Sequence, residues 1–289
     1  PDRAGPFGIL QTVADAIKLL LKEQIMPLKA DRAMYLLAPI LALVPSFLIF
    51  MIIPLGPDLN IEVGGKDYVV DFVGADLNVG VLYFLALSSI AVYSVVLAGW
   101  SSGSKYPLLG GVRASAQMIS YEAAMGLSLV PVILYSGSLS LVDIVSSQSG
   151  NLSTSIPILS SIVSFIPKWN IFPQFIAFGI FFIAAVAEVN RAPFDLVEAE
   201  QELVGGFHTE YSGFRFAMFF LAEYINMFNM CAITATFFLG GWLGPTFENF
   251  LPPVLSAIMP IIWLGVKTFL LLFIFVWIRA TLPRLRYDQ

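Results

Sequence analysis

The sequence predicts an all-α fold: a polytopic integral membrane helix bundle of six transmembrane helices, preceded by an N-terminal interfacial amphipathic helix. Three observations predict it. Of 289 residues, 58% are hydrophobic and only 12% charged, where a soluble domain carries about 25% charged residues. The apolar residues gather into runs of bilayer-crossing length. The basic residues alternate between abundance and scarcity in the segments separating those runs.

The elements follow in order. In residues 1–32, Gln11, Asp15, Lys18 and Lys22 recur on one helical stripe, while Ile9, Leu10, Val13, Ile17, Leu20 and Leu21 cover the other side. Such a segment lies along a membrane surface and is too charged to span it. Residues 33–53, 77–99 and 123–142 are uncharged spans. A shorter span, 171–188, ends on Glu188; 216–240 contains Glu223, and 254–278 contains Lys267. Segment 54–76 is acidic and rich in Gly and Pro. Segment 143–170 is Ser-rich, with a short apolar stretch between Pro157 and Pro167 that reads as interfacial. Segment 189–215 is an acidic loop. Asn151-Leu152-Ser153 matches a glycosylation acceptor, a motif too short to carry weight. No internal repeat, separate soluble domain or cleavable signal interrupts a single membrane domain over 1–289.

Basic residues test the alternation independently. Segments 1–32, 100–118, 189–215 and 279–289 together hold twelve, whereas 54–76, 143–170 and 241–253 hold two. The positive-inside rule then places both ends in the cytoplasm. Removing the short 171–188 span would strand the last two basic segments outside, which supports keeping it. The overall balance, 15 Lys+Arg against 20 Asp+Glu, leaves no basic surface for nucleic acid. The single Cys231 excludes a disulfide framework or a cysteine-ligated cluster within this chain. The single His208 reads as a hydrogen-bonding loop residue rather than a metal ligand.

The remaining chemistry is carboxylate chemistry. An acid at the bilayer centre costs about 2.5–3.5 kcal/mol on insertion scales. Yet Glu223 sits inside a span, Glu188 ends one and Glu122 begins one, while Asp195, Glu198, Glu200, Glu202 and Glu210 crowd a single loop with Arg191 and Arg215. Pro193 ends the preceding helix, Asp195 and Glu198 form a D-x-x-E helix start, and Gly205-Gly206 closes a short helix. On it Glu198 and Glu202 share a face. That cluster is either a solvated, capped helix or an enclosed, proton-handling group titrating together. Glu188 and Arg191, three apart, read equally as a structural ion pair or a functional one. Lys267 reads as the buried partner of a carboxylate, or else as a packing residue. Asp15 with Lys18 has the spacing of an ordinary surface pair. These residues alone support a carboxylate-lined proton or cation path in a membrane protein.

One stretch is far more specific. Residues 187–227 read AEVNRAPFDLVEAEQELVGGFHTEYSGFRFAMFFLAEYINM. They closely resemble the H-type membrane-subunit family of proton-translocating NADH:quinone oxidoreductase, respiratory complex I, in its bacterial form. Four further stretches agree: RAGPFGILQTVADAIKLLLKE (3–23), GWSSGSKYPLLGGVRASAQMISYE (99–122), LGGW (239–242) and IRATLPRLRYDQ (278–289). The resemblance implies a family fold of eight transmembrane helices at the junction of a hydrophilic electron-transfer arm and a membrane arm. It implies a quinone-access chamber and the first buried carboxylates of a proton path. Glu122, Glu188, Glu198, Glu200, Glu202, Glu210 and Glu223 match the family's acidic funnel, with Arg191 and Asp195 in the same motif. Asp15, with Lys18 beside it, matches the quinone chamber. The resemblance thus favours enclosure of the 195–210 cluster.

The same resemblance implies no cofactor on this chain and quinone as substrate, with FMN and iron–sulfur clusters in partner subunits. It implies hydrophilic quinone-module subunits on the cytoplasmic side, small membrane subunits and antiporter-like subunits as partners, in a bacterial inner membrane. Two departures stand out. Ser89, within Leu87-Ser88-Ser89-Ile90, stands where some members carry a Glu. The chain also begins inside the family's first cytoplasmic loop and stops before its last helix, so its six spans correspond to the family's second to seventh. Rival readings are the homologous subunit of a membrane-bound hydrogenase or a ferredoxin- or deazaflavin-fed complex, a stand-alone carboxylate-based ion transporter, and a structural scaffold.

Overall fold

The computed structural model describes residues 5–63, 66–150, 167–195, 204–244 and 253–285. Its helices are α1 (Gln11–Leu21), α2 (Arg32–Met51), α3 (Gly80–Ser101), α4 (Lys105–Ser136), α5 (Leu141–Ser147), α6 (Phe175–Glu188), α7 (Gly213–Phe238) and α8 (Pro253–Thr281). Five of them, α2, α3, α4, α7 and α8 from Ile258, are long and apolar enough to cross a membrane. The sixth candidate, α6, has 14 residues, about 21 Å of helix. The lateral surface is apolar, with Leu134 78% and Phe269 73% exposed. This is a membrane protein, since such a surface suits lipid.

The helices alternate in direction between two ends. At the first end Asp31 caps α2, its carboxylate accepting from Ala33 N (3.1 Å) and Met34 N (3.4 Å). The Asp31 N–H donates to Ser101 O at the foot of α3. Leu285 N donates to Pro193 O, joining the chain beyond α8 to the turn after α6. At the second end Val81 N donates to Leu139 O and Ile171 N to Phe238 O.

Close approach of α3 and α4 needs small residues, as in lipid-solvated bundles generally. A Cβ on Gly99 would meet Pro107 O at 2.5 Å. One apolar core near the second end includes Phe84, Met125, Leu129, Phe181, Ile233 and Phe237. Another near the first end packs Tyr35, Val95, Met118, Phe207, Tyr211 and Phe219. There the Tyr35 and Tyr211 rings stack at 4.1 Å. Tyr35 donates to Glu210 O (2.8 Å) and Tyr211 donates back to Tyr35 O (3.2 Å).

Four sequence expectations need amendment. Helix α4 starts at Lys105, not near residue 123, and its 32 residues make about 48 Å of helix. A hydropathy window sees where lipid begins, not where the helix begins. It also ends at Ser136 on the left-handed Gly137 (φ 70°), and Ser140 caps the separate α5. The acidic 54–76 segment contains an antiparallel hairpin, β1 (Leu59–Val63) with β2 (Lys66–Val70). Lys267 meets carbonyls, not a carboxylate: Nζ donates to Leu239 O (2.6 Å), Gly241 O (2.9 Å) and Leu243 O. The apolar stretch between Pro157 and Pro167 and the short helix expected after Asp195 lie outside the described residues.

Candidate functional site

The site forms where α6 stops. Its last turn closes with Val189 N donating to Ala185 O and Asn190 N to Ala187 O, and Asn190 then turns left-handed (φ 52°). The chain leaves the helix axis there, which separates Glu188 from Arg191. The Glu188–Arg191 pair expected from their spacing does not form, because that spacing presumes a continuing helix. Arg191 instead pairs with Glu223 on α7, Nε to Oε1 at 2.9 Å. Its guanidinium also stacks over the Tyr224 ring, 4.6 Å from the centroid.

Gln117 on α4 holds this turn. Its Nε2 lies 2.9 Å from both Ala187 O and Phe194 O, and 3.3 Å from Asn190 Oδ1. Sequence reasoning passed over Gln117. The available signal was a glutamine within an otherwise small and apolar helical stretch. Gly110, also on α4, lets the backbone of the 206–208 turn approach, since a Cβ there would lie 2.7 Å from Gly206 C.

A cavity of about 70 Å³ opens between α2, α3, α6, α7 and the 206–208 turn. That volume holds a few waters at roughly 10–15 Å³ of such space each. Its polar wall includes Glu188, Glu223, His208, Asn226, Ser46 and Ser94. Glu188 is 1% exposed. Neither of its carboxyl oxygens has a hydrogen-bond partner among the described residues. A buried carboxyl without a partner is a costly arrangement. The field of Glu122 on α4 also reaches Glu188. Glu122 Oε1 accepts hydrogen bonds from Ser88 Oγ (2.9 Å) and Ser89 Oγ on α3.

His208 is packed edge-on by Phe207, Phe216 and Phe220 at 4.9–5.7 Å. Burial pulls its imidazole down to about 4, so it is neutral at pH 7. Burial also pushes the Tyr211 phenol up to about 12.

The structure thus brings Glu188, Glu223 and Arg191 together at one cavity, with Glu122 behind. Asp195 is half-buried just past the Gln117 clamp, and Glu210 is half-buried below the Tyr35–Tyr211 stack. Asp15 and Lys18 pair with each other at 3.1 Å on exposed α1, away from the cavity wall. Hydrogen bonds from Lys18 and then Gln11 hold the Asp15 carboxyl below its ordinary value. Glu198, Glu200 and Glu202 lie outside the described residues. Among the described residues, no three of His, Cys, Asp and Glu gather as a metal-ligand set.

A family model described as NADH dehydrogenase matches residues 1–289. The chain belongs to the NADH dehydrogenase family. Within it, the chain is 49% identical over 297 residues to the second H subunit of NADH-quinone oxidoreductase from Koribacter versatilis, covering 100% of this chain and 80% of that one. It is 51% identical to the second H subunit from Geobacter sulfurreducens, covering 100% and 78%. It is 50% identical to the H subunit from Cupriavidus pinatubonensis, covering 100% and 75%.

Proposed function

We propose that this chain is the membrane subunit of a proton-pumping NADH-quinone oxidoreductase, forming quinone-chamber wall and the first buried carboxylates that couple quinone reduction to proton movement. The observation that carries this reading is Glu188, without a hydrogen-bond partner among the described residues, on a cavity it shares with Glu223. Near-half identity along the whole chain to proteins named as H subunits of NADH-quinone oxidoreductase supports it.

The chain supplies no redox group; electrons arrive from FMN and iron–sulfur clusters in hydrophilic partners docked at the cytoplasmic face, where both ends of this chain lie. Quinone enters from the lipid beside α1 and is bordered by Asp15 and Lys18. Its reduction changes charge near the acidic loop, where Asp195, Glu198, Glu200, Glu202 and Glu210 respond as a coupled group. Glu188, Glu122 and the Arg191–Glu223 pair pass that change into the membrane arm. A salt-bridged Glu223 and an unpartnered Glu188 answer the same charge change differently, because one has a fixed counter-ion and the other does not. Small membrane subunits and antiporter-like subunits of the bacterial inner membrane receive the shift.

The test uses the assembled complex. Glu188→Gln is expected to leave assembly and NADH binding intact while lowering quinone-coupled proton pumping about tenfold, the effect of roughly 1.4 kcal/mol on the limiting step. Normal pumping in both Glu188→Gln and Glu223→Gln would end the relay reading. Purification without flavin and iron–sulfur subunits, with ion transport in the absence of NADH, would replace it with a stand-alone transporter.

A further inference from the structure

Ser88 and Ser89 stand at the turn of α3 that faces Glu122. Ser88 Oγ lies 2.9 Å from both Leu85 O and Glu122 Oε1. Ser89 Oγ lies 3.0 Å from Leu85 O and within hydrogen-bond reach of the same Oε1. Each hydroxyl has one proton to donate, so the two cannot make all four bonds at once. Two donors therefore choose between two acceptors.

We propose that Ser88 and Ser89 are a pair of hydroxyl rotors that position Glu122 and satisfy its carboxyl whether or not it carries a proton. When Glu122 is ionised, both hydroxyls turn to Oε1, and Leu85 O keeps its ordinary backbone bond within the helix. When Glu122 is protonated, its O–H donates to one serine oxygen, and that serine swings its own proton back to Leu85 O. Only hydrogens rotate; no heavy atom moves and no buried polar group is orphaned in either state. Ser88 is 1% exposed, while Ser89 and Glu122 are half-buried. Glu188 has no such partners among the described residues. Ordinary serine back-bonding to the preceding turn would engage Leu85 O alone; it does not account for two hydroxyls converging on one carboxylate oxygen.

The proposal rests on the relay role proposed for Glu122, and its test separates the two. Infrared difference spectra of the assembled complex are taken on quinone reduction, with the Glu122 carboxyl band assigned as the one lost in Glu122→Gln. In Ser88→Ala/Ser89→Ala that band is expected to shift to higher frequency, with smaller shifts in each single variant. The Thr/Thr double variant, which keeps both hydroxyls, retains the wild-type band. Pumping is expected to fall at least about tenfold in the double alanine variant, which loses both hydrogen bonds to Oε1, and to recover in Thr/Thr. Should the double alanine variant fail to assemble, the two single variants carry the band measurement. An unmoved band in the alanine variants, or a Thr/Thr variant as impaired as Ala/Ala, overturns the rotor pair. Wild-type pumping in Glu122→Gln overturns the relay role instead, while the band still reports on the hydroxyls.

Discussion

Two buried polar clusters sit at opposite ends of α7, and they are built on opposite rules. At the far end every donor of Lys267 is used, on three carbonyls beyond the helix terminus, and its ammonium lies 4.3 Å from the Trp169 ring centroid. Beside it Gln148 Oε1 accepts from Asn170 N and Gly240 N, and its Nε2 donates to Ile144 O and Thr236 O. A cation at a helix C-terminus also suits the dipole. At the near end Glu188 is as deeply buried and has no hydrogen bond among the described residues, beside a cavity. Lys267 and Gln148 are fully engaged at the far end, although Asn170 Oδ1 and Thr268 Oγ1 beside them have no hydrogen-bond partner among the described residues; a network whose charged group is satisfied holds its elements in place. The contrast sets a carbonyl-bound lysine against a carboxyl with no hydrogen bond among the described residues within one helix length.

Substituting each cluster's central residue should break the comparison if it is wrong. Lys267→Met strips the donor from three carbonyls at about 1–3 kcal/mol each. Thermal unfolding of the purified complex should report a loss of at least about 3 kcal/mol. Glu188→Gln, which removes no hydrogen bond to the described residues, should stay within about 1 kcal/mol of wild type in the same assay. Equal losses in the two would erase the distinction.

A gentler probe of the Lys267 end is Gly240→Ala. Gly240 has φ 72°, and a Cβ there would fall 2.6 Å from Trp169 Nε1, so about 1–3 kcal/mol of stability should go. An alanine variant with wild-type melting would mean that the Trp169 stack is loose.

The smallest effect sharpens the near end. His208 is held down to about 4 against an ordinary 6.5, so between those values the folded form binds fewer protons than the unfolded. Its contribution is complete above about pH 6.5 and drains as pH falls toward 4. At pH 6 the loss is below about 1 kcal/mol. Hydrogen exchange at residues 206–211 should quicken over that range in wild type but not in His208→Gln. A flat wild-type profile would place His208 in contact with water.

The spans were legible because lipid imposes one crude demand, about 20 apolar residues in a row, and α2, α3, α7 and α8 meet it plainly. The first half of α4 was not, since its Lys105, Arg113 and Gln117 are polar yet helical. Carboxylates in costly places were visible from composition, and the local motif carried the family. Pairings were not: Arg191 was assigned to Glu188 by spacing, and one left-handed residue, Asn190, redirected it to Glu223. Lys267 was expected to seek an acid, but the nearest negative charge density is the carbonyl end of α7. Sequence distance predicts neighbours only while the helix lasts.

Ser212 binds the link after α1 twice, accepting from Ile25 N at 3.0 Å and donating to Ile25 O at 3.4 Å. The next residue, Gly213, begins α7, and a Cβ on it would press 3.0 Å from Lys22 O. Helix α1 and the link after it are therefore held to the foot of the helix bearing Glu223. A displacement of α1 against the bundle would bear directly on the foot of α7 through Ser212 and Gly213.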